Sequence, residues 1–245
     1  DMHGFSISLM ELSNGDEDLL AQSVGAHAWP GCNPVEKPKV LPLPDGLSPI
    51  RAPASQHEPT KAFLTACCNV LIASEADLNL LDAKSGDGDT GSTLATAARA
   101  LIAAMDTLPL ADHTQLYRAI GLELSQTMGG SSGVLLAIFF AAAGDASSSG
   151  QPMKGALLAG LARMRQIGGA NPGDRTMVDA LLPALEELGA GIDAAASAAR
   201  KGADYTATIT SAKAGRASYI NAEQLDGHID PGAEAVARLF EHIAS

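Results

Sequence analysis

From Pro59 onward, apolar residues recur at intervals of three and four. Phe63, Ala66, Cys67, Val70 and Leu71 open the series, with the spacing that gives a helix one apolar face. Similar patterns cover roughly 90–106, 112–128, 131–144, 152–168, 176–189, 191–212 and 231–244. Strand-like alternation is almost absent from this region. The pattern predicts eight helices joined by loops, an all-α, antiparallel up-and-down bundle or barrel.

The first sixty residues follow another pattern. Phe5, Ile7 and Leu9 alternate with Ser6, Ser8 and Met10, which predicts a short strand, and DEDLLAQSV after it predicts a short helix. Neither has enough partners for a core, so residues 1–29 read as the tail of a domain, and Asp1 inside a strand pattern suggests a fragment or processed chain. Pro30, Pro34, Pro38, Pro42, Pro44, Pro49, Pro53 and Pro59 punctuate residues 30–59. A chain interrupted that often forms neither helix nor inner strand, and this stretch is expected to be a linker. The helical domain then occupies 60–245.

Composition supports close helix packing, since alanine is abundant and aromatics are only 4%,. The net charge of −12 argues against a nucleic-acid or membrane-surface partner, either of which needs a basic face. A phosphate ligand stays open, because a bound metal ion reverses the local sign. Cys32, Cys67 and Cys68 are too few for a disulfide framework and lack zinc-site spacing, so a reducing cytoplasm is expected. No uninterrupted apolar run reaches the roughly 18 residues of a membrane span. The longest, Val134 to Ala143, is expected to be a buried helix, and no signal-peptide pattern precedes it.

The unusual residues lie in four connections. In LDAKSGDGDTGST, Asp82, Asp87 and Asp89 supply the oxygen ligands that hard cations prefer, and Gly86 and Gly88 allow the backbone to converge them. Thr90, Gly91, Ser92 and Thr93 then open a helix, whose first N–H groups suit phosphate. A solvated turn with a Thr or Ser cap is the plain alternative; the ligand spacing and closing Glu of an EF-hand are missing. In TMGGSSG, Ser131 and Ser132 follow paired glycines and can cap the next helix. In IGGANPGDRTM, Asp174 can cap the next helix, with Thr176 and Met177 in its first turn; Arg175 faces either a phosphate or its i+4 neighbour Asp179. The fourth place holds Arg216 in AGRASY, followed by Asp230-Pro231-Gly232, an N-cap with proline at the first helical position. These places precede the second, fourth, sixth and eighth helices. In an up-and-down bundle they fall at one end.

The strings GDGDTGST, MGGSSG, PGDRTM, AGRASY and DPGA, in this order, resemble the nucleotide-binding domain of the dihydroxyacetone kinase family, also called DAK2 or DhaL. The resemblance covers roughly residue 60 to the C-terminus, while residues 1–29 and the linker resemble the end of the family's ketone-binding domain and its connection. It implies an antiparallel eight-helix barrel with nucleotide at one end. Asp82, Asp87 and Asp89 would hold two Mg2+ ions on the phosphates of ATP. Thr90, Gly91, Ser92 and Thr93 would contact phosphate; Ser131, Ser132, Gly168, Thr176, Met177, Asp230, Pro231 and Gly232 would surround the nucleotide. Arg216 would assist charge stabilisation. The implied activity transfers the γ-phosphate of ATP to dihydroxyacetone or glyceraldehyde, held covalently by a histidine of the ketone-binding domain of the same polypeptide or of its homodimer mate. That histidine's motif matches none of this chain's six. Two alternatives remain within the family: an ADP-coenzyme subunit served by a phosphotransferase, and a lyase releasing cyclic FMN from FAD. A non-enzymatic helical scaffold must treat the motif order as coincidence.

Overall fold

The computed structural model describes residues 50–213 and 216–245, together with 11, 13–20, 22 and 25. The chain divides into two compact units, 1–49 and 50–245. In the first, α1 (Asp16–Leu20) lies within the expected short helix; the expected strand and residues 30–49 of the linker fall outside the described residues. Residues 50–59 belong to the second unit. There Ser55 N donates to Leu108 O and Leu110 N to Ser55 O, both at 3.1 Å, and Arg51 pairs with Glu123 of a barrel helix.

The second unit is a closed ring of eight helices. These are α2 (Glu58–Ala73), α4 (Thr90–Ala104), α5 (His113–Thr127), α6 (Gly130–Ser148), α7 (Met153–Gly168), α8 (Val178–Glu187), α9 (Ile192–Thr206) and α11 (Pro231–Ala244). Each packs on the next, and α11 packs back on α2. The starts follow local chemistry. His57 accepts from Thr60 N with Pro59 in the first turn of α2, and Asp112 accepts from Gln115 N at 3.0 Å before α5, both satisfying N–H groups that have no intrahelical acceptor.

Two departures from the sequence pattern matter. The first is α3 (Glu75–Ser85), which the periodicity does not announce and which is set at a bend of 53° from α2. It buries only Leu78, Asp82 and Ser85, so no apolar stripe marks it. It packs on α4 and α11, and it moves Asp82 from a loop onto a helix. The second is the segment expected as 191–212. Helix α9 ends at Thr206; a 3-10 turn (Arg216–Tyr219) and a short α10 (Ala222–Leu225) follow.

The eight-helix ring has no solid centre. Its buried apolar residues fall into two clusters, one around Phe139, Leu161, Val178 and Val236, the other around Leu110, Leu116, Ile120 and Leu124. Between them lies a cavity of about 1700 Å3 lined mainly by aliphatic and aromatic side chains. This explains α6. At 19 residues and a mean hydropathy of 1.3 it is long and apolar enough to cross a membrane by length and composition. Here its Val134, Leu135, Phe139 and Phe140 side chains line the cavity.

The seams between helices rely on small residues. A Cβ at Gly202 of α9 would lie 2.0 Å from Asp179 O of α8, and one at Gly160 of α7 2.5 Å from Phe139 O of α6. Those obstacles are backbone and cannot rotate away. Gly202→Ala is therefore expected to lower stability by about 2–3 kcal/mol, within the range for overpacking, as measured by chemical denaturation. Gly129→Ala, where an added Cβ meets nothing within 4 Å, serves as the control with little change.

Candidate functional site

Asp82 sits in the last turn of α3 and is buried. Its Oδ2 accepts from Asp89 N at 2.9 Å and from Thr90 N at 3.1 Å. This one carboxylate oxygen ties the start of α4 to the end of α3. The intervening turn needs Gly88, whose φ is +78°, a left-handed conformation that costs other residues energy. The tie gathers three acids: among the described residues, one carboxylate oxygen each of Asp82, Asp87 and Asp89 lies within 4.8 Å of the others. Two oxygens on one Mg2+ at about 2.1 Å lie at most about 4.2 Å apart. The observed spacing is thus near what one such ion requires, with Asp87 and Asp89 the exposed members. An all-oxygen, multiply charged donor set fits a hard divalent cation.

The first turn of α4 divides into two faces. Thr90 and Thr93 line the cavity beside the acids. Ser92 is engaged elsewhere: its N donates to Asn79 Oδ1 at 3.0 Å and its Oγ accepts from Asn79 Nδ2 at 2.9 Å. Glu75, held below its usual range first by the Arg99 guanidinium, is lowered further by the Ser92 hydroxyl. Gly91 packs against α3, where a Cβ would meet Glu75 O at 2.0 Å. Of the four residues expected around phosphate, two face the cavity and two dock α4 on α3. Asn79, which the motif reading missed, carries that docking from α3, the helix whose periodicity gave no signal.

The second connection brings Gly129, Gly130, Ser131 and Ser132 to the cavity wall. The expected serine cap does not form. Gly129 is the N-cap residue, α6 starts at Gly130 and no side chain caps it. The serines thus lie inside the first turn, and their backbone N–H groups carry the positive end of the helix.

In the third connection, Gly168, Thr176 and Met177 line the cavity. Asp174 accepts from Asn171 N at 2.7 Å instead of capping α8, which begins after Met177. Asp179 accepts from Gly173 N and from Thr176 N, so it is occupied by the turn and forms no ion pair with Arg175. Arg175 instead takes a left-handed φ of +62° and buries its side chain to 1% exposure, donating through Nη2 to His228 O at 2.8 Å.

The fourth connection supplies Asp230, Pro231 and Gly232 to the same cavity. Asp230 caps α11 as expected, accepting from Ala233 N at 2.9 Å, and its own N donates to Thr206 Oγ1 at 2.9 Å. The residue keeps partial exposure while its carboxylate is enclosed. That desolvation pushes the pKa up to about 6, against the helix-capping N–H groups and Arg175, which favour the charged form. Met177 and Gly232 approach closely, a Cβ at Gly232 falling 3.2 Å from Met177 Cβ. The side chain of Arg216 lies outside the described residues; its neighbour Ala217 lines the cavity.

Residues 84–245 match the DAK2 domain. The chain belongs to the DAK2 domain family. It is 41% identical over 261 residues to the dihydroxyacetone kinase of Citrobacter freundii, covering 100% of this chain and 45% of that protein. To the triokinase/FMN cyclase of Rattus norvegicus it is 36% identical, covering 99% and 45%. The crystal structure of the C. freundii enzyme in complex with AMP-PNP and Mg2+ superposes with a TM-score of 0.71 at 38% identity, covering 95% of this chain and 42% of that one. This DAK2 chain thus spans under half the length of the curated relatives it matches most fully, and the helical architecture expected from periodicity is the architecture found.

Asp230 has a measurable consequence. Its carboxyl, ordinarily near 3.8, titrates at about 6 in the folded domain. Between those values the folded protein holds a proton that the unfolded chain has released, so Asp230 makes stability fall as pH rises through this window and leaves it level above. Chemical denaturation of the natural protein and Asp230→Asn across pH 4 to 7 is expected to show the natural protein losing stability relative to the variant up to about pH 6. A constant difference across that range would remove the enclosed carboxylate from the account.

Proposed function

We propose that this chain is the ATP-binding half of a dihydroxyacetone (glycerone) kinase, which transfers the γ-phosphate of ATP to dihydroxyacetone or glyceraldehyde. One observation carries the reading: three carboxylates converge beside the first turn of α4, with two threonines of that turn on the same cavity wall. The 38% identity to an enzyme crystallised with AMP-PNP and Mg2+ supports it.

Asp82, Asp87 and Asp89 hold the metal, as two Mg2+ ions. Bound there, Mg2+ supplies neutralisation of the phosphate charge, the main requirement of phosphoryl transfer. Asp82 has a double task, since the oxygen that accepts from Asp89 N and Thr90 N also fixes where α4 points its N-terminus. The hydroxyls of Thr90 and Thr93, with the positive end of α4 behind them, donate to phosphate oxygens. The start of α6, with Ser131 and Ser132, presents a second set of N–H groups. Thr176, Met177 and Asp230–Gly232 form the wall against the rest of the nucleotide, and Arg216 meets the transferring group. The acceptor ketone comes from a ketone-binding domain, of which residues 1–29 are the end and 30–59 the connection. Full-length coverage of this chain but only 45% of the C. freundii enzyme supports that division. We assign the reaction to the cytoplasm on the free thiols Cys67 and Cys68.

The chain is expected to bind Mg-ATP by calorimetry and to phosphorylate dihydroxyacetone only when the missing domain is supplied. Asp87→Ala is expected to abolish the metal-dependent part of ATP binding while leaving thermal stability nearly unchanged, because Asp87 is exposed. Unchanged Mg-ATP affinity in that variant would sink the assignment. Robust kinase activity from this chain alone would refute the division of labour, and stoichiometric ADP that survives purification would favour the coenzyme reading.

A further inference from the structure

Arg175 is the largest fully buried side chain among the described residues. Nothing in a helix-packing core asks for a guanidinium, and three features set it apart. Its backbone is the one left-handed conformation among described non-glycine residues, at φ +62°, which disfavours any residue with a Cβ. Its Nη2 donates to His228 O at 2.8 Å, across 53 positions of sequence. Its Nε and Nη1 are enclosed and make no hydrogen bond. Burial lowers its pKa and the Asp230 carboxylate opposes that shift, so the cation lies within electrostatic reach of the N-cap of α11 without forming an ion pair with it.

These features serve one arrangement. The 171–177 segment carries Thr176 and Met177, and the 228–232 segment carries Asp230 and Gly232. The two run in different parts of the chain, yet Met177 and Gly232 stand against each other. The Arg175 side chain crosses between them. Arg175 stands at the cavity wall with Nε and Nη1 enclosed, and its one hydrogen bond runs to the neighbouring segment, so the residue acts through the segments it joins. We propose that Arg175 is a positioning residue that locks the 171–177 and 228–232 segments in register as one wall for the nucleotide. The inference rests on the ATP-binding reading above. It extends that reading to a residue not among those expected around the nucleotide, and it gives a strained, enclosed arginine two uses: Nη2 holds the His228 carbonyl and the charge lies beside the Asp230 carboxylate. The charged groups acting on Asp230 are Arg175 and Asp179; Asp179 is itself fixed by Gly173 N and Thr176 N, and His228 presents its carbonyl.

The test uses this chain with Arg175→Met and Arg175→Lys, titrated with Mg-ATP and separately with Mn2+ alone. Arg175→Met is expected to weaken Mg-ATP binding roughly tenfold or more, the scale for losing a charged hydrogen bond that fixes a buried segment, while Mn2+ affinity at the three aspartates stays unchanged. Arg175→Lys is expected to recover part of the loss. A second readout separates positioning from mere stability. In Arg175→Met the pH window over which Asp230 affects stability moves upward, because a nearby cation is gone, and in Arg175→Lys it stays in place. Unchanged Mg-ATP affinity in Arg175→Met overturns the proposal, as does an equal upward shift in both variants. If Arg175→Met does not fold, Arg175→Lys decides the matter: about threefold weaker Mg-ATP binding is expected from the altered bond to His228 O, and natural affinity overturns it. A flat Mg-ATP titration of the unmodified chain defeats the ATP-binding reading itself and this inference with it, an outcome distinct from failure of the variants alone.

Discussion

Helix backbones in this domain approach one another so closely that several positions admit no side chain at all. Gly91 against Glu75 O, Gly160 against Phe139 O and Gly202 against Asp179 O are contacts of this kind. Alanines such as Ala95, Ala180, Ala199 and Ala203, each fully enclosed, fill the seams between them. Stability is thereby concentrated at the circumference of the ring. Large side chains are displaced inward, where they pack in two clusters beside the cavity. The position of every functional loop depends on these seams, because the loops are the short connections between helices whose spacing they set.

The second organising element is electrostatic. A chain with a net charge of −12 is an unpromising host for a polyphosphate. The solution is local. Three carboxylates are gathered at one point beside the cavity, and the first turns of α4 and α6 line the same cavity. On the ATP-binding reading, positive potential there would come from helix N-termini and a bound cation, while the buried guanidinium of Arg175 donates to His228 O. The ionic cluster on the outside has a different task. Glu234, 7% exposed, accepts from both Arg200 and Arg238, and Arg238 reaches Asp77 at 3.0 Å. That cluster links α9, α11 and α3, so the helix bearing Asp82 is braced from behind.

Much of this was legible in sequence, and the gaps have physical causes. The ring helices show because each has an apolar side, and the four odd loops show because glycine and aspartate are unusual between helices. Helix α3 was hidden because it rests on neighbours through few buried residues. With it went the position of Asp82 and the role of Asn79, so Ser92 was counted with the phosphate residues although its bonds face α3. Arg175 defeated the local rule for a different reason. An arginine four residues before an aspartate pairs with it only on a continuous helix, and here the helix starts at Val178. The turn needed both Asp179 oxygens, and the guanidinium went to a carbonyl far away in sequence, which no spacing rule can reveal.

The cavity of about 1700 Å3 alters how this domain can change over time. In an ordinary core the interior side chains are the constrained ones, since each fills space that no other shape fills. Here the lining residues pack into the two apolar clusters on one side and border open volume on the other, so a change of shape has room on the cavity side. The glycines and alanines of the seams have no such freedom. Tolerance is thus set by what a side chain faces: an added methyl at a glycine seam meets backbone, whereas one added on the cavity side meets open volume.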